Sequence, residues 1–175
     1  IGQALLAKLS GKKRIIADLD NCFYPDKFVV PFIQIVHDRA VQEVFRGCIR
    51  GCRFCQAGFS CRPVRKKSAD VLYRQAVETL SDSGHNEITL SSLSTSDYRG
   101  LKELTDELIP YCADQKVSLS VPSLRADNFS RELMAKLQTV RKSGLTFAPE
   151  AGTQRLRDVI NKNLTEEEIL STCIN

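Results

Sequence analysis

Apolar residues recur along this chain in two alternating patterns. Stretches with apolar positions three and four apart give way, after a turn signal, to short runs of β-branched and aliphatic residues, as amphipathic helices and buried parallel strands do. Leu72, Ala76, Val77 and Leu80 mark one helical face, with Ser68 placed to cap its start and Gly84 just past its end. Glu87 to Leu90 predicts the strand that follows. Leu101, Leu104 and Leu108 space a second helix up to Pro110, and Val117 to Val121 predicts the next strand. Ser130 opens a third helix through Leu133, Leu137 and Val140, closed by Gly144, and Leu145 to Ala148 predicts a fourth strand. Leu156, Val159 and Ile160 mark another helix, and Thr165 with Glu168 makes a capping box for a last one.

Four βα units in series imply an α/β fold with a parallel sheet and right-handed crossovers. An open sheet and an incomplete barrel both fit. In either, the loops leaving the C-terminal ends of the strands build the site, and here they begin at Gly47, Ser91, Pro122 and Pro149. Ahead of the repeat, Phe32 to Val36 and Val41 to Phe45 predict two strands joined by a turn at residues 37–40, the second ending at Gly47 and Cys48. Residues 1–31 carry turn signals (Ser10-Gly11, Asp20-Asn21, Pro25-Asp26) and are expected to connect to something upstream. The chain opens on Ile1 rather than Met, so a longer polypeptide is expected.

Length and composition narrow the class. With 175 residues, 42 % of them apolar, the chain fits one domain or part of one, short of the ~250 residues of an eight-unit barrel. Its longest apolar stretch, Phe28 to Val36, is interrupted by Pro31 and Gln34 and falls well below the ~18 residues of a membrane span. No signal peptide opens the chain. The expected location is the cytoplasm, without a membrane partner.

Charge is unevenly spread. The net charge is +4, yet Arg46, Arg50, Arg53, Arg62, Arg65, Lys66 and Lys67 form a block of seven cations without an acid, so the rest of the chain carries an acidic excess of three. Such a block suits an anionic partner and lowers the pKa of thiols within it. Four of the seven cysteines lie there: Cys48, Cys52, Cys55 and Cys61. Crowded thiols in a reducing compartment read as metal ligands before disulfides. Cys22, Cys112 and Cys173 stand alone and read as small buried hydrophobes.

Cys48, Cys52 and Cys55 are spaced by four and three, straight after a predicted strand, with Gly47 and Gly51 giving the backbone freedom to turn inward. Cubane iron-sulfur clusters ordinarily take four cysteines, so three would leave one iron open to a substrate or cofactor. The competing reading adds Cys61 as fourth ligand of a structural zinc, which with Phe45, Phe54 and Phe59 in the basic block gives a zinc-stabilised RNA-binding module. Thiol-disulfide exchange fits less well, since no helix starts at a CxxC in a thioredoxin-like order.

This C-x3-C-x2-C with Phe54 before the third cysteine resembles the signature of the radical S-adenosylmethionine superfamily, and the likeness runs from about Val30 to Thr165. Glu43 to Cys48, Cys52 to Phe59 and Arg62 to Arg65 resemble a subgroup of iron-sulfur oxidoreductase-like members with an upstream cobalamin-binding-type domain, which would add cobalamin outside residues 32–175. The resemblance implies a partial (β/α)6 barrel, of which residues 32–175 would be the N-terminal part, ending before the fifth strand. Cys48, Cys52 and Cys55 would hold a 4Fe-4S cluster, S-adenosylmethionine would chelate its fourth iron, and reductive cleavage would give a 5′-deoxyadenosyl radical acting on a substrate not named by the sequence. A flavodoxin- or ferredoxin-type donor and the rest of the same chain are the implied partners.

The resemblance also implies cofactor contacts. Where the family often carries a Gly-Gly-Glu-like turn, this sequence has Ser91-Ser92-Leu93-Ser94-Thr95, so Ser92 and Ser94 would meet the amine of the cofactor. Arg125, after the third strand of the repeat, could clamp a carboxylate or phosphate in a bidentate way. Glu150, in Pro149-Glu150-Ala151-Gly152-Thr153, would bond a ribose hydroxyl. Phe54 would touch the cofactor.

Overall fold

The computed structural model describes residues 14–25, 27–128, 130–139 and 146–174. Three strands, β1 (Ala40–Glu43), β4 (Glu87–Ser91) and β5 (Ser118–Ser120), form a parallel sheet in the order β1-β4-β5. Ala40 lies opposite Ile88 and Gln42 opposite Leu90, while Ile88 is in turn opposite Leu119. Parallel neighbours need long crossovers. Helix α2 (Ala69–Ser83) and helix α3 (Leu101–Asp114) supply them.

The period of two along each strand separates the sheet into two faces. Ala40, Val44, Ile88, Leu90, Val117 and Leu119 join Leu72, Ala76, Leu104 and Leu108 in the core under the helices. A fully buried leucine contributes about 1.5–3 kcal/mol, so this layer sets the fold. The other face carries Val41, Glu43, Thr89, Ser91 and Ser120. Thr89 Oγ1 is the one buried side-chain polar atom without a hydrogen-bond partner among the described residues.

Helix α2 starts and stops as its sequence predicts. Ser68 accepts from the Val71 N–H at 3.4 Å, and Gly84 closes the helix at φ 70° with its N–H on the Leu80 carbonyl. Helix α3 runs past the expected stop at Pro110 to Asp114. Pro110 sits on the exposed side, and the next turn is retained because it buries Cys112 in the core. Helix α4 (Arg131–Leu137) begins at the Ser130 cap, α5 (Gln154–Val159) at Thr153, and α6 (Glu166–Ile174) after the reciprocal Thr165 and Glu168 bonds.

Other expectations are corrected. Phe32 to Val36 forms no strand: it finds no ladder partner, and Phe32, Ile33 and Val36 stand exposed. The run Val41 to Phe45 splits into β1 and β2 (Phe45–Arg46), because the chain leaves the parallel sheet at Val44 to pair with β3 (Arg65–Lys66) in an antiparallel ladder. Residues 146–148 are irregular, so the described sheet has three parallel strands where four were expected. Val140, Gly144 and Leu145, assigned above to that helix and strand, lie outside the described residues, as do Ser10, Gly11 and Asp26. Cys112 is buried as expected, but Cys22 is half-buried and Cys173 exposed.

Among residues 14–31, Leu19, Asp20, Tyr24 and Phe28 contact the domain, while Phe23, Val29 and Val30 stand exposed. Leu19 is buried, Asp20 accepts from the Ser68 N–H at 2.7 Å, and the Tyr24 hydroxyl donates to Gln42 at 2.8 Å. The Lys67 ammonium lies 4.7 Å from the centre of the Tyr24 ring and donates to Gln75 at 2.7 Å. Burial lowers its pKa below the ordinary lysine value.

Candidate functional site

The β2–β3 ladder pairs Phe45 with Lys66 and Arg46 with Arg65, closing residues 47–64 into one loop beside the C-terminal ends of β1 and β4. Gly47 makes the first turn at φ 90°, and a Cβ there would come within 2.8 Å of the Cys61 carbonyl and 2.9 Å of the Pro63 carbonyl. Only glycine fits both the angle and the space. Cys48 and Cys52 are each 8 % exposed, and Cys55 is half-buried at the start of helix α1 (Gln56–Ser60). Backbone amides already face two of the sulfurs: Arg50 N–H donates to Cys48 Sγ at 3.4 Å and Gly58 N–H to Cys55 Sγ at 3.3 Å.

Among the described residues no three Cys, His, Asp or Glu side chains gather as tightly as a single metal ion requires. A tetrahedral zinc would need four donors in one ~2.3 Å shell, and Cys61, the proposed fourth, lies past the far end of helix α1. A cubane distributes its cysteine ligands over separate irons and demands less convergence. The donor set fits a cluster: three unpaired thiols in one loop, two of them accepting the N–H···S bonds that tune such clusters.

Arg50, between the first two cysteines, reaches out of the loop. It donates from Nε and Nη2 to Asp97 at 2.8 and 2.5 Å, and from Nη1 to Asp127 at 2.9 Å. Asp97 follows β4 and also accepts from Ser94 at 2.7 Å, while Asp127 follows β5 and accepts from Arg125 at 2.9 and 3.0 Å. Burial pushes the Asp97 carboxyl up, but the bonds from Arg50 and Ser94 outweigh it and hold the pKa below the usual carboxylate range. The same pairing raises that of Arg50.

Arg125 therefore grips its own chain: besides Asp127 it donates to the Lys162 carbonyl at 2.8 Å, and its side chain is only 9 % exposed. Its fork is engaged where the sequence reading had it clamp an incoming anion. The hydroxyls of Ser92 and Ser94 are likewise turned to Thr95 and Asp97, and the Ser94 carbonyl accepts from the Asp97 N–H at 2.9 Å. Phe54 is half-exposed, with the Lys162 ammonium 5.8 Å from its ring centre, and Lys162 also pairs with Glu150 at 3.2 Å. Phe54 and Glu150 are thus brought to one place by a lysine that carried no signal of its own.

Sequence reasoning missed the turn that supplies this lysine. Asn161 and Asn163 adopt left-handed backbone at φ 56° and 52°. Asn161 donates to the Gly51 carbonyl at 2.8 Å, and Arg53 N–H donates to the Ile160 carbonyl at 2.9 Å. The Arg157 guanidinium, 3 % exposed, holds the carbonyls of Ala151, Gly152 and Leu164. Two asparagines flanking a lysine hint at turns but not at the partner.

A cavity of about 490 Å³ opens beside the loop at the ends of β1 and β4, lined among others by Glu43, Arg46, Gly47, Ser91 and Ser92. The cationic block does not present a uniform face: Arg46 pairs with Glu43, Arg50 with the two aspartates, Arg65 bonds carbonyls of Cys61 and Pro63, and Lys67 is buried. No described helix is long and apolar enough to cross a membrane.

The comparisons agree with this geometry. The sequence matches the Radical SAM superfamily over residues 43–175, from the end of β1 through the cysteine loop to helix α6. It is 37 % identical over 127 residues to the uncharacterized protein MJ0966 of Methanocaldococcus jannaschii, covering 73 % of this chain and 27 % of that protein. The chain thus spans about a quarter of that relative. With the parallel α/β sheet and the cysteine loop at its strand ends, this match shows that the chain belongs to the radical SAM superfamily.

Proposed function

We propose that Cys48, Cys52 and Cys55 hold a 4Fe-4S cluster and that the domain catalyses radical chemistry from S-adenosylmethionine. The carrying observation is the pair of N–H···S bonds at Cys48 and Cys55 within one loop beside the strand ends. When bound, the cluster and S-adenosylmethionine supply one-electron cleavage of the sulfonium to methionine and a 5′-deoxyadenosyl radical, the electron coming from a flavodoxin- or ferredoxin-type donor. The protein's part is orientation and shelter. Burial of Cys48 and Cys52 limits water at the sulfurs, Phe54 offers a ring face, Glu150 an acceptor for a hydroxyl, and the carbonyls of Ser92 and Leu93 acceptors for an amine.

A substrate would be held in the cavity at the ends of β1 and β4, where Glu43, Arg46, Ser91 and Ser92 line the wall. Completing the site falls to the rest of the chain, as the short span relative to the archaeal protein suggests. Cobalamin remains part of the proposal only through the subgroup resemblance. The zinc and RNA reading draws less support, because Arg46 and Arg50 are ion-paired and Lys67 is buried. Anaerobic reconstitution of the full chain with iron and sulfide should yield brown protein that forms 5′-deoxyadenosine under reducing conditions. Colourless, zinc-binding protein that forms none, or full turnover by Cys52→Ala, overturns the reading.

A further inference from the structure

We propose that Arg50 is the positioning residue of the cysteine loop: anchored by Asp97 and Asp127, it keeps its own backbone N–H on Cys48 Sγ and so raises the reduction potential of a cluster held there. The part concerning the potential rests on the function proposed above; the hold on the loop does not.

The guanidinium is a rigid planar fork, and all three of its bonds go to carboxylates on other loops. Arg50 is 27 %, Asp97 6 % and Asp127 10 % exposed at the side chain, against 38 % and 42 % for the neighbouring pair of Arg46 and Glu43. An exposed pair of the latter kind contributes little. Each aspartate is itself held, Asp97 by Ser94 and Asp127 by Arg125, which continues to the Lys162 carbonyl. Residue 50 is therefore held at its guanidinium from two loops, and its carbonyl accepts from Arg62 at 3.1 Å.

The fixed amide points at sulfur, 3.4 Å away. N–H···S bonds stabilise the more negative, reduced state and are one of the determinants of cluster potential. Two arginines and two aspartates cancel in net charge, so the group acts through orientation more than through a field. This gives the test its sign. Asp97→Asn removes a negative charge, which by Coulomb's law alone raises the potential, whereas release of the Arg50 amide lowers it.

The experiment uses the full chain, as Asp97→Asn and as Arg50→Lys, which keeps the charge and loses the fork. In metal-free protein, amide exchange at Arg50 should become at least about tenfold faster in both variants. After reconstitution, a redox titration followed by electron paramagnetic resonance should show the potential lowered in both. Unchanged exchange, or a potential raised in Asp97→Asn, overturns the proposal. Should Asp97→Asn fail to fold, Arg50→Lys carries both readouts. Wild-type protein that binds no iron while the exchange result holds sinks the functional reading and leaves the hold on the loop supported.

Discussion

Asn161 donates its side-chain amide to the Gly51 carbonyl at 2.8 Å across 110 positions of sequence, fastening the turn after helix α5 onto the cysteine loop. Asn161 also adopts left-handed backbone. Asn161→Gly keeps that conformation but loses the bond and frees the unfolded backbone, together about 1–2.5 kcal/mol. Asn161→Ala loses the same bond and should cost about 1 kcal/mol more than Asn161→Gly, through its Cβ at positive φ. Denaturant unfolding of the two variants reads the difference, and equal midpoints would contradict the assignment.

Gly47 and Gly84 share positive φ but not surroundings. A Cβ at Gly47 meets two carbonyls within 3 Å, while at Gly84 it meets nothing within 4 Å. Gly84→Ala should therefore cost only the conformational penalty of about 1 kcal/mol, and Gly47→Ala clearly more, with iron uptake reduced as the loop shifts. Thermal unfolding alongside iron analysis after reconstitution checks both. Retained uptake in Gly47→Ala would show that the close approach has no functional weight.

The carboxyl of Asp97 titrates below its ordinary value in the folded protein. Its native pairing therefore contributes stability above the unfolded carboxylate pKa of about 4, and that contribution is lost as pH falls through the lower folded value. The gap in melting temperature between wild type and Asp97→Asn should be widest near neutrality and close below about pH 4. A gap that widens on acidification contradicts the sign.

Two isolated cysteines should differ in reactivity. Burial in the core pushes the Cys112 thiol up to about 11, whereas Cys173 is exposed on helix α6. A thiol reagent should modify Cys173 in native protein and reach Cys112 only on unfolding. Peptide mapping after timed labelling decides it, and early labelling of Cys112 would show that the core opens.

Legibility followed the range of the interactions. The Ser68 and Ser130 caps, the Gly84 stop and the Thr165 capping box are decided within a turn of backbone, so their residue types suffice. The cysteine spacing is likewise local. Phe32 to Val36 shows the limit: apolar residues become a strand only when a partner lies alongside, and nothing in the run records its absence. The roles of Asp97, Asp127, Asn161 and Lys162 depend on contacts across tens of residues, and an aspartate in a loop looks the same in sequence whether it faces water or an arginine. Arg125 lies past the C-terminal end of β5, and its engagement with Asp127 and Lys162 can be read only in three dimensions.

The two-pair ladder between β2 and β3 brings both ends of the cysteine segment to one spot on the rim of the sheet. The entropy of closing a segment grows only slowly with its length, but the Cys61 and Pro63 carbonyls crowd Gly47, and Arg62 donates to the Arg50 carbonyl at 3.1 Å, so residues gained or lost between Cys55 and Arg65 would be felt beside Cys48 as well. The segment is in effect a buckle: its two halves latch on each other, and a change in the far one is carried straight back to the near one.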